Sequence, residues 1–172
     1  MNTPSHSSSR VGGKNLLSYR AYCQSPIGTL EILGSAAAIT AINFLDSAPA
    51  TPAQDELPTH LQAACRQLTE YFQSQRQTFD LPLKPAGTLF QQRVWQELLT
   101  VPYGRLLSYQ DVANAIGNLQ AVRAVGAANG QNPIPIIIPC HRILASDGKL
   151  TGYGGGLWRK EWLLRHEGSL LL

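Results

Sequence analysis

A chain of 172 residues is long enough for one ordinary domain or for two small ones sharing an interface. Hydrophobic residues make up 44% and charged residues 15%, which fits a packed core and excludes global disorder. No apolar run approaches the roughly 18 residues that a membrane-spanning helix needs. The formal charge is +3. Residues 1–85 balance Arg10, Lys14, Arg20, Arg66, Arg76 and Lys84 against Glu31, Asp46, Asp55, Glu56, Glu70 and Asp80. The excess therefore lies in the second half and suggests an anionic partner there.

The chain opens on MNTPSHSSSRVGGKN, which has no apolar segment and so is not a secretory signal. It reads as a polar, disordered tail over 1–18. Cys23, Cys65 and Cys140 are odd in number and widely spaced, which implies no disulfide framework and favours a reducing compartment. No Cys-x-x-Cys or His-x-x-x-His pair exists, so neither metal nor cofactor is expected.

Residues 19–80 read as a small α+β unit. Tyr19–Gln24 and Thr29–Gly34 are strand-like and joined by Ser-Pro-Ile-Gly, which has turn chemistry; Ala38–Leu45 is a third such run. Residues 48–58 are loop-like. A helix begins near Thr59, with Leu61, Cys65, Leu68 and Phe72 as its apolar stripe. Residues 81–87, with two prolines, read as a linker to a second unit at 88–172.

In that unit Thr88 caps a helix carrying Phe90, Val94, Leu98 and Val101 on one side, and Pro102-Tyr-Gly stops it. Ser108 caps the next helix, with Asp111 completing a capping box, and Gly117 ends it. A further helix runs from about Leu119 to Ala128. The pair has a helix-turn-helix layout. In AVRAVGAANG (121–130) Arg123 is the one charged side chain among small residues. Such a face lets another surface approach closely, either a neighbouring helix or a nucleic acid.

The apolar run 132–139 reads as a buried strand or extended segment leading into Cys140, His141 and Arg142. A cysteine attacks as its thiolate, and cationic or proton-accepting neighbours favour that form. A buried structural cysteine ending a core strand is the alternative. The loop Thr-Gly-Tyr-Gly-Gly-Gly (151–156) lacks the Gly-Lys-Ser/Thr of a phosphate-binding loop. A helix over Leu157–His166 follows. Its Glu161, an acid among basic and apolar residues, reads as a solvated charge or an i,i+4 partner of Arg165.

Taken together these blocks closely resemble the O6-alkylguanine-DNA alkyltransferases, also called methylated-DNA–protein-cysteine methyltransferases. The resemblance rests on Pro-Cys-His-Arg-Ile (139–143), Asn-Pro-Ile-Pro (132–135), Ser-Tyr-Gln (108–110), Arg-Ala-Val-Gly (123–126), Tyr153 and Lys-Glu-Trp-Leu-Leu (160–164). It covers about residues 88–168, and the first half matches only in layout. It implies an α+β chain: a three-stranded antiparallel sheet plus helix, ribonuclease-H-like, followed by a mostly helical, winged helix-turn-helix-like domain. It implies transfer of an alkyl group from O6-alkylguanine, and from O4-alkylthymine, in double-stranded DNA to Cys140, once per molecule and after base flipping.

The resemblance also implies roles. His141 is the base for Cys140 through a water, Glu161 orients His141, and Asn132 braces the turn. Tyr109 helps flip the nucleotide and protonates the leaving guanine. Arg123 is a finger filling the vacated stack, on a helix whose small residues Ala121, Ala124, Gly126, Ala127 and Ala128 fit the minor groove. Gln110, Asn118 and Ser146 lie near the DNA backbone. Tyr153, Gly154 and Pro135 line the guanine pocket, where a small residue at 154 admits bulkier alkyl groups. The partner is DNA, met by a protein monomeric in solution either singly or as several molecules along the duplex, in the cytoplasm of a bacterium or the nucleus of a eukaryote, with no fused zinc module. Two other classes compete: a thiol hydrolase using Cys140 and His141, and a helix-turn-helix regulator reading the major groove. The alanine-rich helix argues against the regulator, because few of its side chains could read base edges.

Overall fold

Alternation of apolar residues builds the sheet. In the computed structural model, which describes residues 18–47, 49 and 56–170, β1 (Tyr19–Cys23), β2 (Thr29–Gly34) and β3 (Ile39–Leu45) form an antiparallel meander in the order β1-β2-β3. Ala21, Cys23, Leu30, Ile32, Ile39 and Ile42 point to one face and are buried. Almost all of the expected tail, and most of the loop expected at 48–58, lie outside the described residues.

Helix α1 (Thr59–Phe72) covers that apolar face. Its buried stripe is Leu61, Ala64, Leu68 and Tyr71. The expected stripe is thus rotated: Cys65 and Phe72 flank the core half-buried, and Tyr71 takes the central place. Small Ala64 permits the close approach, and the ring of Tyr71 fills the space one turn beyond Leu68.

The proline-rich segment 81–87 is bonded to the sheet. Ile39 N–H donates to the Pro82 carbonyl at 2.8 Å, and Lys84 N–H donates to the Ile39 carbonyl at 2.8 Å. These bonds cover part of the free edge of β3. Farther along that edge, Ile42 N–H donates to the Pro133 carbonyl at 2.8 Å, which joins the sheet to the segment carrying Cys140.

The second unit follows the caps read from the sequence. Thr88 and Gln91 form a capping box on α2 (Leu89–Leu98), and Ser108 and Asp111 form one on α3 (Tyr109–Ala115). Gly117 takes φ 72°, the left-handed conformation that ends α3. Helix α4 (Val122–Gly130) starts later than the periodicity implied, because residues 118–121 form a turn closed by Ala121 N–H to the Asn118 carbonyl. Trp95 anchors α2 to α4 by donating its indole N–H to the Ala128 carbonyl at 2.8 Å. Two-residue strands β4 (Leu107–Ser108) and β5 (Ile143–Leu144) pair in parallel, and α5 (Leu157–His166) closes the chain's core. No helix among the described residues is long and apolar enough to cross a membrane.

The run 132–139 is not a strand. Ile134 and Ile138 close a turn (Ile138 N–H to the Ile134 carbonyl, 3.0 Å), and Ile136 takes φ 74°, an unusual conformation for a β-branched residue. A 3₁₀ turn over Cys140–Arg142 follows. The apolar character that resembles a strand instead reflects burial: residues 134–144 are all buried, and the amides of Ile134, Ile138, Cys140 and Arg142 find acceptors within the same segment.

Candidate active site

Asn132 builds the turn that holds Cys140. Its Oδ1 accepts from Ile134 N–H at 3.0 Å, and its Nδ2 donates to the Ile138 carbonyl at 2.8 Å. One amide side chain thus closes the turn from both ends. From α4, Asn129 donates to the Cys140 carbonyl at 3.3 Å.

Cys140 sits at the floor of a cleft of about 660 Å³ walled by Phe44 and Asp46 from β3 and its exit, by Pro135, and by Tyr153 and Gly154. Only 4% of Cys140 is exposed. Burial pushes its thiol up to about 11, against the opposing pull of the Asn132 hydrogen bond, the Lys160 ammonium and the amides of the 3₁₀ turn. Lys160 is itself fully buried and donates to the carbonyls of Ile143 (2.6 Å) and Thr151 (2.9 Å). Burial brings its ammonium down to about 8, while Cys140 acts to raise it.

His141 is wholly buried, and its Nε2 lies 2.8 Å from Glu167 Oε1. This corrects the acid expected from the sequence. Glu161 is half-exposed and paired with Arg165 at 2.7 Å, one helical turn along α5 and away from His141. Glu167 lies just past the helix end and turns inward. It accepts from His141, from Arg142 (Nε to Oε2, 2.8 Å; Nη2 to Oε1, 2.9 Å), from Gly104 N–H (3.2 Å) and from Tyr71 Oη (2.8 Å). Burial alone would raise its carboxyl, but the hydrogen bonds and charges of His141 and Arg142 outweigh it and hold the group well below the usual carboxylate range.

Burial lowers the pKa of His141 against the pull of Glu167, so the imidazole is neutral at rest. An ionised carboxylate can only accept, so Nε2 carries the hydrogen and Nδ1 is the basic nitrogen. Nδ1 has no hydrogen-bond partner within the protein.

The other expected residues fall into two groups. Tyr109 reaches the glycine-rich loop, its Oη 3.5 Å from the Thr151 carbonyl, and its ring lies over Gly126 of α4. Burial raises the Tyr153 phenol well above its ordinary value, and its Oη has no protein partner. Arg123, Ala124 and Ala127 form an exposed face of α4, whereas Ala121 and Ala128 turn into the core and take no part in that face. Asn118 and Ser146 are exposed, and Gln110 is half-buried with its amide on Asn114 at 2.8 Å.

Three features of the site had no counterpart in the sequence reading: Glu167, Tyr71, and the wall from β3. Phe44 packs on Tyr153 with ring centroids 6.1 Å apart. Arg159 stacks on Phe44 at 4.9 Å and ion-pairs with Asp46. A Cβ at Gly155 would stand 2.6 Å from the Phe44 ring, so the loop can lie against β3 only as glycine. Among the described residues no three His, Cys, Asp or Glu side chains gather as a metal site.

Two family descriptions match this architecture. The DNA binding domain of 6-O-methylguanine DNA methyltransferase matches residues 89–169, and the ribonuclease-like domain of the same family matches 18–85. The chain is 44% identical to a methylated-DNA–protein-cysteine methyltransferase of Methanosarcina acetivorans over 154 residues, covering 88% of this chain and 99% of that protein. It is 46% identical to the Mycobacterium bovis protein of the same name over 156 residues, covering 90% and 94%. A crystal structure of the Mycobacterium tuberculosis O6-methylguanine methyltransferase superposes with a TM-score of 0.77 at 42% identity, covering 91% of this chain and 96% of that one. Another structure of the Mycobacterium tuberculosis protein, in complex with DNA, gives a TM-score of 0.77 at 47% identity, covering 86% and 91%. With both halves matched and the cysteine, histidine and buried acid assembled in one site, the chain belongs to the 6-O-methylguanine DNA methyltransferase family.

Proposed function

We propose that this chain repairs alkylated DNA by direct reversal, taking the alkyl group of O6-alkylguanine, and of O4-alkylthymine, onto Cys140 in one irreversible event. The observation that carries the reading is the placement of Cys140 and His141 on one turn at the floor of the cleft. His141 Nε2 is tied to Glu167, and Nδ1 is left to take a proton.

The chemistry follows triad logic with a sulfur nucleophile. The Cys140 proton passes through a water to His141 Nδ1, and the Glu167 carboxylate stabilises the imidazolium. The sulfur attacks the alkyl carbon as the carbon–oxygen bond breaks. The bonding electrons leave with the guanine, which takes up a proton from Tyr109; the imidazolium then returns its proton through water to the Tyr109 phenolate, so the thiol proton is balanced by the one the base gains. At rest the thiol, pushed up to about 11, is protonated. It therefore stays unreactive toward stray electrophiles until a substrate fills the cleft.

An alkylated O6 inside a duplex is out of reach of a buried thiol, so the nucleotide is flipped into the cleft. The exposed face of Arg123, Ala124 and Ala127 suits the narrow minor groove, with Arg123 filling the space the base leaves. Gln110, Asn118 and Ser146 serve the phosphates, and Tyr153, Gly154 and Pro135 receive the base. The protein acts on double-stranded DNA as a monomer.

Intact-protein mass measurement after incubation with a duplex containing O6-methylguanine tests the reading. Each molecule is expected to gain the mass of one methylene unit, with no second turnover when fresh duplex is added. Continued turnover with an unmodified protein would point to a hydrolase instead.

A further inference from the structure

We infer that Tyr71, in the sheet-bearing unit, is a positioning residue for the transfer, fixing through its hydroxyl the carboxylate that orients His141. This rests on the reading of Cys140 and His141 given above.

Tyr71 is the penultimate residue of α1 and is wholly buried. Its Oη donates to Glu167 Oε1 at 2.8 Å, the same oxygen that His141 Nε2 meets at 2.8 Å. The other donors to Glu167 come from the second unit: Arg142 beside His141 on the 3₁₀ turn, and Gly104 from the loop after α2. Arg142 is held in turn by the Val101 carbonyl at 2.6 Å. Among these donors Tyr71 alone ties the sheet-bearing unit to the carboxylate. It does so at the oxygen that faces the imidazole.

The ring is held so that the hydroxyl cannot wander. Phe72, Tyr103 and His166 meet it edge-on at 5.2, 6.1 and 5.0 Å, and Phe79 packs at 5.5 Å. His166 Nε2 also bonds the Tyr71 carbonyl at 2.8 Å, which pins the last turn of α5 to α1 just before Glu167. Burial keeps the phenol neutral, so it is always a donor. Among the described residues the charged and titratable groups that act on Glu167 are His141 and Arg142 from the turn, Tyr71 from α1, Tyr103 from the loop after α2, and Tyr153 from the glycine-rich loop, whose buried phenol is neutral. Lys160, farther back on α5, acts on His141.

A donor to Glu167 draws charge away from the side of the carboxylate that supports an imidazolium. Removing the hydroxyl leaves Glu167 less fixed and a stronger partner for protonated His141. Two effects follow: slower transfer where His141 is neutral, and a His141 that protonates at higher pH.

The test is single-turnover transfer from an O6-methylguanine duplex and from free O6-benzylguanine, followed across the pH range in which a histidine titrates. Tyr71→Phe keeps the ring and its packing. It is expected to slow transfer by about three- to tenfold on both substrates, to move the acid limb of the profile to higher pH, and to leave duplex affinity unchanged. Tyr103→Phe removes a hydroxyl from the same aromatic cluster that bonds the His166 carbonyl at 3.1 Å instead of Glu167, and it should leave the acid limb in place. Placing 3-fluorotyrosine at position 71 keeps the fold and strengthens the donor, so it should move the limb to lower pH. Parental rate and limb in Tyr71→Phe, an equal shift in Tyr103→Phe, or no shift with the fluorinated ring would each overturn the inference. A parent protein that transfers nothing from either substrate would overturn the functional reading itself, and the inference with it.

Discussion

Replacing Glu167 with glutamine keeps the shape of the side chain and removes its charge. The Glu167 side chain has no exposure and that of Arg142 only 6%, so the change leaves a guanidinium buried with the Val101 carbonyl as its remaining strong acceptor. The new amide also turns N–H groups toward donors. Breaking a buried pair in this way costs about 3–5 kcal/mol. Glu161, 45% exposed and paired with Arg165 one turn on, is worth about 0.3–0.5 kcal/mol.

Urea denaturation of the parent, Glu167→Gln and Glu161→Gln separates these magnitudes, and pH adds a second reading. The folded pKa of Glu167 is depressed, so its contribution is fully present above its unfolded value near about 4.3 and is lost as pH falls toward the lower folded value. The parent should thus lose stability steeply below about pH 4.3, and Glu167→Gln should lose less. His141, also depressed by burial, removes stability in both proteins as pH falls below about 6.5. A Glu167→Gln variant within about 1 kcal/mol of the parent, or a Glu161→Gln variant as costly, would refute the assignment of the buried acid.

Other expectations are equally specific. Asn132→Ala removes both hydrogen bonds that close the turn and should cost about 1–3 kcal/mol in the same denaturation assay; a cost under about 0.5 would mean the turn holds itself. Gly155→Ala, whose methyl would meet the Phe44 ring, should slow the reaction with free O6-benzylguanine, and adding Phe44→Ala should restore part of the rate. Failure of that rescue would show that the two sides of the cleft are not in conflict there. Arg123→Ala should slow transfer from duplex DNA far more than from the free base, whereas equal losses on both would end the finger role.

The elements with local chemistry were legible in the sequence. Thr88 and Ser108 announced their helices because a capping box is complete within four residues. The α1 stripe differs from its periodicity by one position because Cys65 and Phe72 are as apolar as Ala64 and Tyr71, and only packing against β1 and β2 decides between the two faces. Residues 132–139 looked like a strand because an apolar run reports burial and not conformation. The sequence does carry a signal for Glu167 over Glu161: Lys160, Leu163, Leu164 and Glu167 follow the i, i+3, i+4, i+7 pattern of one buried helix face. Glu161 falls four residues before Arg165 on the other. The contributions of Tyr71 and Phe44 join residues about a hundred positions apart, and no short-range pattern encodes them.

The most direct test of the central claim is peptide mapping of the protein after one exposure to a duplex carrying O6-methylguanine. The added methylene mass should fall entirely on the peptide containing Cys140, and a Cys140→Ala protein should gain none. Burial raises the thiols of Cys23 and Cys65 as well, and neither has a histidine beside it on a shared turn. Modification of Cys23 or Cys65, or methylation surviving Cys140→Ala, would contradict the account.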